Sequence, residues 1–256
     1  MTTYTFPSIT PSSNTFELVT NTRTFQSPLT NSVQTVARKG SLWKASLQFN
    51  NLTGDDRAEM QGFLAKLNGQ QHRFYLPDHG FSRRGLGSVN SILAGSFEIG
   101  KIYIITSLGA LGNETDFTLI GALTNTVGLI FTATGSGTNT GTASEYNLFV
   151  NGAGQTGSTL NVDNAEASIT DYFKAGDYIA FNNELHMVTS GCDSTVSGTI
   201  AIPIAPPIRK PTDDNDLLDF YYPVLGVFML ASSSSWDTQP GRVSNFTIEA
   251  VEDVLA

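Results

Sequence analysis

The sequence predicts a mainly β protein, a β-barrel or β-sandwich with one short α-helix, and three observations lead to this prediction. Apolar residues alternate with polar ones in several separate segments, as they do in strands that bury one face. Gly, Asn and Asp interrupt the chain between these segments. A helical period occurs at about residues 53–68, and none follows residue 70. Parallel βαβ units need such a period between strands, so the pattern favours antiparallel strands.

The first strand is predicted from the alternation in residues 42–49. The apolar positions of this segment are Trp43, Ala45, Leu47 and Phe49. The polar positions between them are Lys44, Ser46 and Gln48. Because successive side chains of a strand point to opposite faces, the apolar set is expected to face the core.

The helix is predicted to span residues 53–68. Thr53 offers an N-cap hydroxyl, acidic residues at 55, 56 and 59 suit the first turns, and Gly69 is placed to end the helix in a left-handed conformation. Its apolar face comprises Met60, Phe63, Leu64 and Leu67. An aromatic strand is predicted to follow at residues 71–76. The expected core of the body is Trp43, Leu47, Phe49, Phe63, Leu67 and Phe74.

Length and composition limit the classes of protein that fit. A chain of 256 residues that is 40% hydrophobic can build a core without disulfides. Cys192 is the single cysteine, so one chain can form neither a disulfide nor a cysteine metal cluster. Residues 1–7 lack the features of a signal peptide, and the longest apolar run, residues 224–231, is too short to span a bilayer. We therefore expect that the protein does not insert into a membrane. We also expect that it is synthesised in a cytoplasm.

Residues 92–147 differ in composition from the rest of the chain. Lys101 is their single basic residue, and Thr and Gly dominate the second half. A flexible linker is one interpretation, which the run GSGTNTGT at 135–142 favours. The apolar residues are more frequent than a linker needs, and they include Ile102, Ile104, Phe117, Leu119, Val127, Leu129 and Phe131. We interpret this segment as a small, ordered β module.

Two groups of motifs flank this module. The N-terminal group comprises FQSPLTNSVQTV at 25–36, Gly40 with Trp43, FLAKLNG at 63–69 and RFYLPD at 73–78. The C-terminal group comprises NGAGQTG at 151–157, AGDYI at 175–179, PPIR at 206–209 and FTIEAVE at 246–252. Together they resemble bacteriophage tail-tip proteins of the distal tail, or tail hub, type. The segment between them resembles β modules that recur in phage tail and fibre proteins.

The resemblance implies a discontinuous tail-hub-like body, residues 1–91 and 148–256, with the module at 92–147 inserted into it. It implies a structural virion protein whose copies form a ring, commonly a hexamer. Such a ring contacts the tail tube on one side and the tail-tip hub and fibre proteins on the other. The expected location is the tail tip of the virion, after assembly in the host cytoplasm. The alternative is a module that attaches a fibre or baseplate, or one that binds host-surface carbohydrate through residues 92–147 or through the aromatic faces of Tyr221 and Tyr222.

Charge is distributed unevenly along the chain. Residues 1–91 hold nine Lys or Arg against five Asp or Glu, whereas residues 148–256 hold four against fourteen. A basic part joined to an acidic part suits head-to-tail contacts around a ring, and two solvated faces are the alternative. The net charge of −9 and the lack of clustered cations argue against specific nucleic-acid binding.

Candidate catalytic motifs lack the context that their chemistry needs. GAGQTG at 152–157 fits a dinucleotide pattern, but a strand-like segment follows it where the pattern requires a helix. The histidines are His72, His79 and His186. Either Asp78 or Asp177 could join them in an acid–base pair, but their spacing suits no zinc site, so surface or pore-lining positions are expected.

The remaining polar motifs are also not interpreted as catalytic or metal-binding sites. Cys192 lacks the basic surroundings that activate a thiol. The acidic cluster comprises Asp213, Asp214, Asp216 and Asp219, and it lacks the glycine and final glutamate of a calcium loop. A solvated turn is favoured there, with weak cation binding as the alternative. Residues 232–237 are expected to form a mobile loop anchored by Trp236. The sequence thus predicts no catalytic residues, no cofactor and no metal.

Overall fold

The computed structural model describes residues 1–37, 40–80, 91–145, 148–220, 224–232 and 234–253. Over these residues the protein is mainly β, as predicted. Helix α1 spans Gly54–Leu67, and a short 3-10 helix spans Phe117–Ile120. The strands, in chain order, are β1 (Thr3–Thr5), β2 (Ser13–Val19), β3 (Thr22–Gln26), β4 (Val33–Ala37), β5 (Leu42–Leu52), β6 (Arg73–Leu76), β7 (Ser91–Leu93), β8 (Ile102–Ser107), β9 (Ile130–Thr132), β10 (Thr142–Glu145), β11 (Phe149–Val150), β12 (Gly157–Asp163), β13 (Tyr178–Phe181), β14 (Glu184–Val188), β15 (Ile200–Ile208), β16 (Gly226–Leu230), β17 (Ser235–Gln239) and β18 (Val243–Glu252).

A seven-stranded sheet, here called the main sheet, forms the largest layer. Its order is β1-β6-β16-β18-β5-β2, and β17 also pairs with β18, on the side opposite β5. The predicted strand at 42–49 is confirmed, and β5 continues to Leu52. α1 packs its apolar residues onto this sheet. The six predicted core residues are all buried in one cluster: Trp43, Leu47, Phe49, Phe63, Leu67 and Phe74.

The predicted helix is confirmed, with two corrections at its ends. Thr53 occupies the N-cap with an extended backbone, but its side chain makes no cap hydrogen bond, so the predicted hydroxyl cap is wrong. The left-handed conformation begins one residue earlier than expected, at Asn68 (φ 49°), and Gly69 (φ 64°) continues it. Asparagine tolerates this conformation better than most residues, which explains why it ends the helix before the glycine.

A second sheet, in the order β11-β12-β15-β14-β13, closes into a small barrel. The segment after residue 214 bridges its two edges: Leu217 lies opposite Phe149 of β11, and Asp219 opposite Ala180 of β13. Backbone hydrogen bonds support both bridges, including a reciprocal pair of 2.7 Å between Asp219 and Ala180. The barrel, residues 148–220, has an apolar interior of its own.

The barrel also packs against the main sheet through β13 and β14. Tyr178, Ala180 and Leu185 join the core of the main sheet, whereas Ile179 and Val188 face the barrel interior. These two strands therefore bury both faces, as strands between two layers do. This shared layer fixes the barrel against the main sheet.

A third sheet, in the order β7-β10-β8-β9, belongs to residues 91–145. Its core is separate and contains the rings of Phe97, Tyr103, Phe117 and Phe131. Ser91 lies opposite Ser144 in antiparallel register, so the two ends of the segment are neighbours. On β8, Ile104 turns away from this core and is buried in the barrel interior. The module thus has its own core, and it contacts the barrel through Ile104 and the partly buried Ile102.

The serine-rich segment near residue 235 forms strand β17, so the predicted mobile loop is wrong there. β17 pairs with β18 over its full length, from Ser235 opposite Thr247 to Gln239 opposite Val243. Trp236 lies against Phe246 of β18, with the two rings tilted by 32° and 6.0 Å between their centroids, yet 44% of Trp236 is exposed. Pairing with a long, well-packed neighbour orders a segment whose composition alone suggests a loop.

Candidate functional site

The most conspicuous surface feature is a hairpin formed by β3 and β4, here called the arm. It continues the hairpin of β2 and β5 beyond the last pair of the main sheet, which is Val19 with Leu42. The arm is antiparallel, with Thr22 opposite Ala37 and Gln26 opposite Val33. Within the described residues, neither of its strands pairs with any third strand. Both outer edges of the arm are therefore available for hydrogen bonding.

The arm exposes large apolar side chains that no part of the described chain covers. Phe25 is 56% exposed, Val33 60% and Val36 47%, and Leu29 at the tip is 94% exposed. Every described side chain of β3 and β4 is exposed. A strand pair with apolar side chains and free edges has the properties of an interaction surface.

Charge sets the arm apart from the barrel. Residues 18–54 contain four Lys or Arg and no Asp or Glu. Residues 148–220 contain ten Asp or Glu and three Lys or Arg. The positive charge of residues 18–54, which include the arm, is attracted to an acidic region, and both belong to the same chain. The arrangement therefore suits contact between copies.

The most buried polar group lies elsewhere and joins the barrel to the main sheet. Arg209, just after β15, donates two hydrogen bonds of 2.7 Å to the two carboxylate oxygens of Glu252 on β18. Glu252 also accepts hydrogen bonds from the backbone N–H groups of Trp43 and Leu185. Three strands and the chain after β15 thus meet at one carboxylate. We call Glu184, His186, Arg209 and Glu252 the clamp.

Glu184 completes the clamp on the barrel side. Its carboxylate lies 3.3 Å from Nε of Arg209 and accepts hydrogen bonds from the backbone N–H groups of Arg209 and Lys210. Burial opposes ionisation of Glu184, but His186 and Arg209 beside its carboxylate outweigh this effect, so the pKa of Glu184 lies below the ordinary value. Burial also opposes the charge of Arg209, but the two carboxylates raise its pKa. Glu184 and Arg209 are therefore both charged at neutral pH.

The position of His186 contradicts the prediction that the histidines lie at the surface or line a pore. It was expected at the surface or in a pore, but its side chain is fully buried, stacked on Phe181 with 4.6 Å between ring centroids. Its Nδ1 lies 2.8 Å from the carbonyl oxygen of Pro206, and its Nε2 lies 3.4 Å from Glu184. Both faces of β14 are covered, which is why a polar residue on this strand does not reach solvent.

The loop after β6 gathers the other polar candidates. One Asp78 oxygen accepts hydrogen bonds from Asn14 (2.7 Å) and from the backbone of Gly80 (2.9 Å). The other accepts one from the hydroxyl of Tyr178 at 3.1 Å. Burial, followed by Asp78, raises the pKa of Tyr178, so its hydroxyl stays protonated and donates. Asp78 thus holds this loop against β2 and the barrel.

The histidines near this loop are not brought together as a pair. His79 packs its ring edge against Phe6, and burial lowers its pKa despite the nearby charge of Asp78. His72 accepts a hydrogen bond from the backbone N–H of Thr2. Asp177 lies apart from both and caps its own turn, where it accepts a hydrogen bond from the N–H of Lys174 at 2.7 Å.

The other sequence candidates lie in separate places. Residues 152–156 link β11 to the antiparallel β12, so a strand follows the glycine-rich motif. Cys192 is half-buried, and burial is the main cause that raises its pKa to about 11. Asp213 and Asp214 are exposed, whereas Asp219 is part of the barrel closure. The ranges given above contain no group of three or more metal-ligating side chains. Tyr221 and Tyr222 lie outside the described residues.

Sequence reasoning did not single out the arm or the clamp. Comparison with known proteins does not assign a family, because no family model matches the chain and no curated protein matches it. No helix in the described segments is both long and apolar enough to cross a membrane.

Proposed function

We propose that this protein is a structural component of a bacteriophage tail tip, of the distal tail type, whose copies assemble into a ring. The observation that carries the proposal is the arm, with its exposed apolar side chains and free strand edges. The motifs that flank residues 92–147 supply the viral context. In this function the ring joins the end of the tail tube to the tail-tip hub and fibre proteins, and its task is mechanical.

Covering the arm is energetically favourable. Full burial of a Val, Leu or Phe side chain contributes about 1.5–3 kcal/mol. Phe25 and Val36 lie exposed on one face of the arm, and Val33 lies exposed on the other. Backbone groups on a free strand edge gain partners at the same time. A contact that covers the arm therefore supplies several kcal/mol, and a closed ring repeats it at every interface.

The base of the arm is held firmly, which a ring contact requires. β2 and β5, from which the arm extends, pack Phe16, Trp43 and Leu47 on the core of the main sheet. The indole N–H of Trp43 donates a hydrogen bond of 2.9 Å to the carbonyl of Leu185 on the barrel. A rigid base lowers the entropy cost of ordering the arm in a complex.

The carbohydrate-binding alternative receives less support. Glycan sites stack sugars on exposed aromatic faces. The described aromatic side chains of residues 91–145 are buried, namely Phe97, Tyr103, Phe117 and Phe131. The described part of the module therefore offers no aromatic face for a sugar.

The size of the purified protein in solution tests the proposal. Size-exclusion chromatography with light scattering, followed by negative-stain imaging, is expected to show closed rings of one stoichiometry. A Phe25→Asp variant is expected to elute as a monomer, and Leu123→Asp, at an exposed apolar residue of the module, serves as the matched control. A wild-type chain that remains monomeric at high micromolar concentration, with or without a tail-tube fragment, contradicts the proposal.

A further inference from the structure

We infer that the arm of one copy pairs with the free edge of β17 in the next copy, which extends the main sheet from one subunit to its neighbour. This inference rests on the proposed self-association and names the surface that receives the arm. The partner is a second copy of this chain. The contact combines strand pairing with apolar packing between Phe25 on the arm and Trp236 on β17.

β17 is the best acceptor among the strand edges that the structure describes. It pairs with β18 alone, and all five of its residues are exposed. β3 and β4 also have five residues each, so donor and acceptor match in length. The other free edges fit less well: β1, β7 and β9 have three residues each, and β2 is the strand from which the arm itself extends. In the part of the barrel that the structure describes, both edge strands already carry bridges, from Phe149 to Leu217 and from Ala180 to Asp219.

The side chains of the two surfaces are complementary. Trp236 leaves 44% of its surface exposed, and Phe25 leaves 56%. Large aromatic side chains of this kind contribute most of the binding energy at protein interfaces. Asp237 neighbours Trp236 on β17, and Arg23 belongs to an arm that lacks acidic residues. Charge therefore favours pairing of unlike surfaces over pairing of two arms.

Donor and acceptor lie at opposite ends of the main sheet. The arm leaves the sheet at Leu42, next to the end of β18 that carries Glu252, because Lys44 lies opposite Val251. β17 pairs with the other end of β18, from Val243 to Thr247. It also lies on the side of β18 away from β5. One copy therefore cannot cover its own β17 with its own arm without bending the arm across the whole sheet.

This placement decides the symmetry of the contact. Two different surfaces at opposite ends of one sheet make a heterologous, head-to-tail contact. Repetition of such a contact around a symmetry axis produces a closed ring, and without closure it produces an open helix. Each added subunit covers one arm and one β17 edge, so a closed ring leaves neither exposed.

Mixing two defective variants tests the inference. Phe25→Asp disables the arm, and Trp236→Asp disables the acceptor. Each variant alone is expected to stay monomeric, whereas a 1:1 mixture is expected to form heterodimers that do not grow, because one intact arm and one intact acceptor remain. Light scattering measures the mass, and circular dichroism establishes that each variant is folded. Trp236→Phe, which keeps an aromatic side chain, is expected to restore rings.

Disulfide crosslinking provides a second measurement that does not depend on destabilising the contact. Thr24→Cys and Thr238→Cys, mixed as separate chains, are expected to crosslink to each other and not to themselves. Burial raises the pKa of Cys192 to about 11, so this thiol competes poorly near pH 8. The inference is overturned if Trp236→Asp alone forms rings. It is also overturned if the two engineered cysteines fail to crosslink within rings of wild-type size. The proposed function stands in both cases. A monomeric wild-type chain overturns both.

Discussion

The barrel and the arm are both built from antiparallel strands, but within the described chain the edges of the barrel strands are bridged and those of the arm are not. In the barrel, residues 217–219 bridge the first and last strands, so the described backbone edges are paired within the chain. In the arm, no described strand pairs with either outer edge, and the apolar side chains are exposed. Closure of a barrel leaves few strand edges to which another chain can pair, whereas an open hairpin leaves edges to which another chain can hydrogen-bond. The difference indicates which region builds the subunit and which one joins it to others.

Paired phenylalanine truncations give the largest contrast between these regions. Phe173→Ala in the barrel core is expected to lower the free energy of unfolding by about 3–5 kcal/mol, because it leaves a cavity among buried residues. Phe25→Ala in the arm is expected to change it by about 0.5 kcal/mol or less, because that side chain is already exposed in the monomer. Urea unfolding at a concentration where the chain is monomeric measures both. Equal losses at the two positions contradict the comparison.

The clamp explains how the closed barrel is fixed to the main sheet. Glu184→Gln is expected to lower stability at neutral pH by about 3 kcal/mol, because Arg209 then loses one of its two carboxylate partners. The pKa of Glu184 is lower in the folded state than its ordinary value of 4.5. Its ionised form therefore stabilises the fold above about pH 4.5. This contribution is lost as the pH falls through the lowered pKa.

The pH dependence of the free energy of unfolding distinguishes the buried carboxylate of Glu184 from exposed carboxylates. The wild-type chain is expected to lose stability steeply on acidification below pH 4.5, and Glu184→Gln to lose it less steeply. Glu166→Gln serves as the matched control, since Glu166 is an exposed barrel carboxylate. Identical slopes in the wild type and in Glu184→Gln contradict a stabilising role for this carboxylate.

Excision of the module tests whether the rest of the chain needs it. Joining Ser91 to Glu145 and deleting residues 92–144 is expected to leave a folded protein, because the two ends are neighbours in antiparallel register. The expected loss of stability is about 1.5–3 kcal/mol, since the barrel loses the buried side chain of Ile104. Thermal unfolding of the shortened chain measures it. A product without a cooperative transition contradicts an inserted module.

The smallest effect is expected at the tip of the arm. Leu29→Ser is expected to change monomer stability by about 0.5 kcal/mol or less, because 94% of the leucine side chain is exposed. Chemical unfolding of the monomer, with Leu76→Ser as the buried counterpart on β6, provides the measurement. A large loss at Leu29 indicates that the arm folds back onto its own subunit.

Local patterns predicted the parts of the fold in which one face is buried and the other exposed. The alternation from Trp43 to Phe49 marked the core face of β5, and the spacing from Met60 to Leu67 marked that of α1. The clamp was not predictable in this way. Glu184 and His186 alternate with apolar residues, which normally indicates a solvent face, but a second layer covers that face.

The arm shows a different limit of sequence patterns. Phe25 and Val36 share one face of the arm with Arg23 and Gln34, as apolar residues do in an ordinary half-buried hairpin, whereas Val33 lies on the other face opposite Gln26. The pattern indicates that a face is to be covered, but it does not say whether the same chain or another copy covers it. β17 was missed for a related reason: serines suggest a loop, and pairing with β18 outweighs that tendency.

The position of β18 has a consequence for how the chain reaches its native state. This strand lies in the interior of the main sheet, between β5 and β16, yet it is the last strand in the sequence. Its end carries adjacent carboxylates: Glu252 pairs with Arg209, and Asp253 pairs with Arg73. Until β18 is inserted, the two halves of the sheet have no common neighbour and both arginines lack these partners. Folding of the body is therefore expected to be cooperative and to require β18, with slow kinetics set by contacts between distant residues.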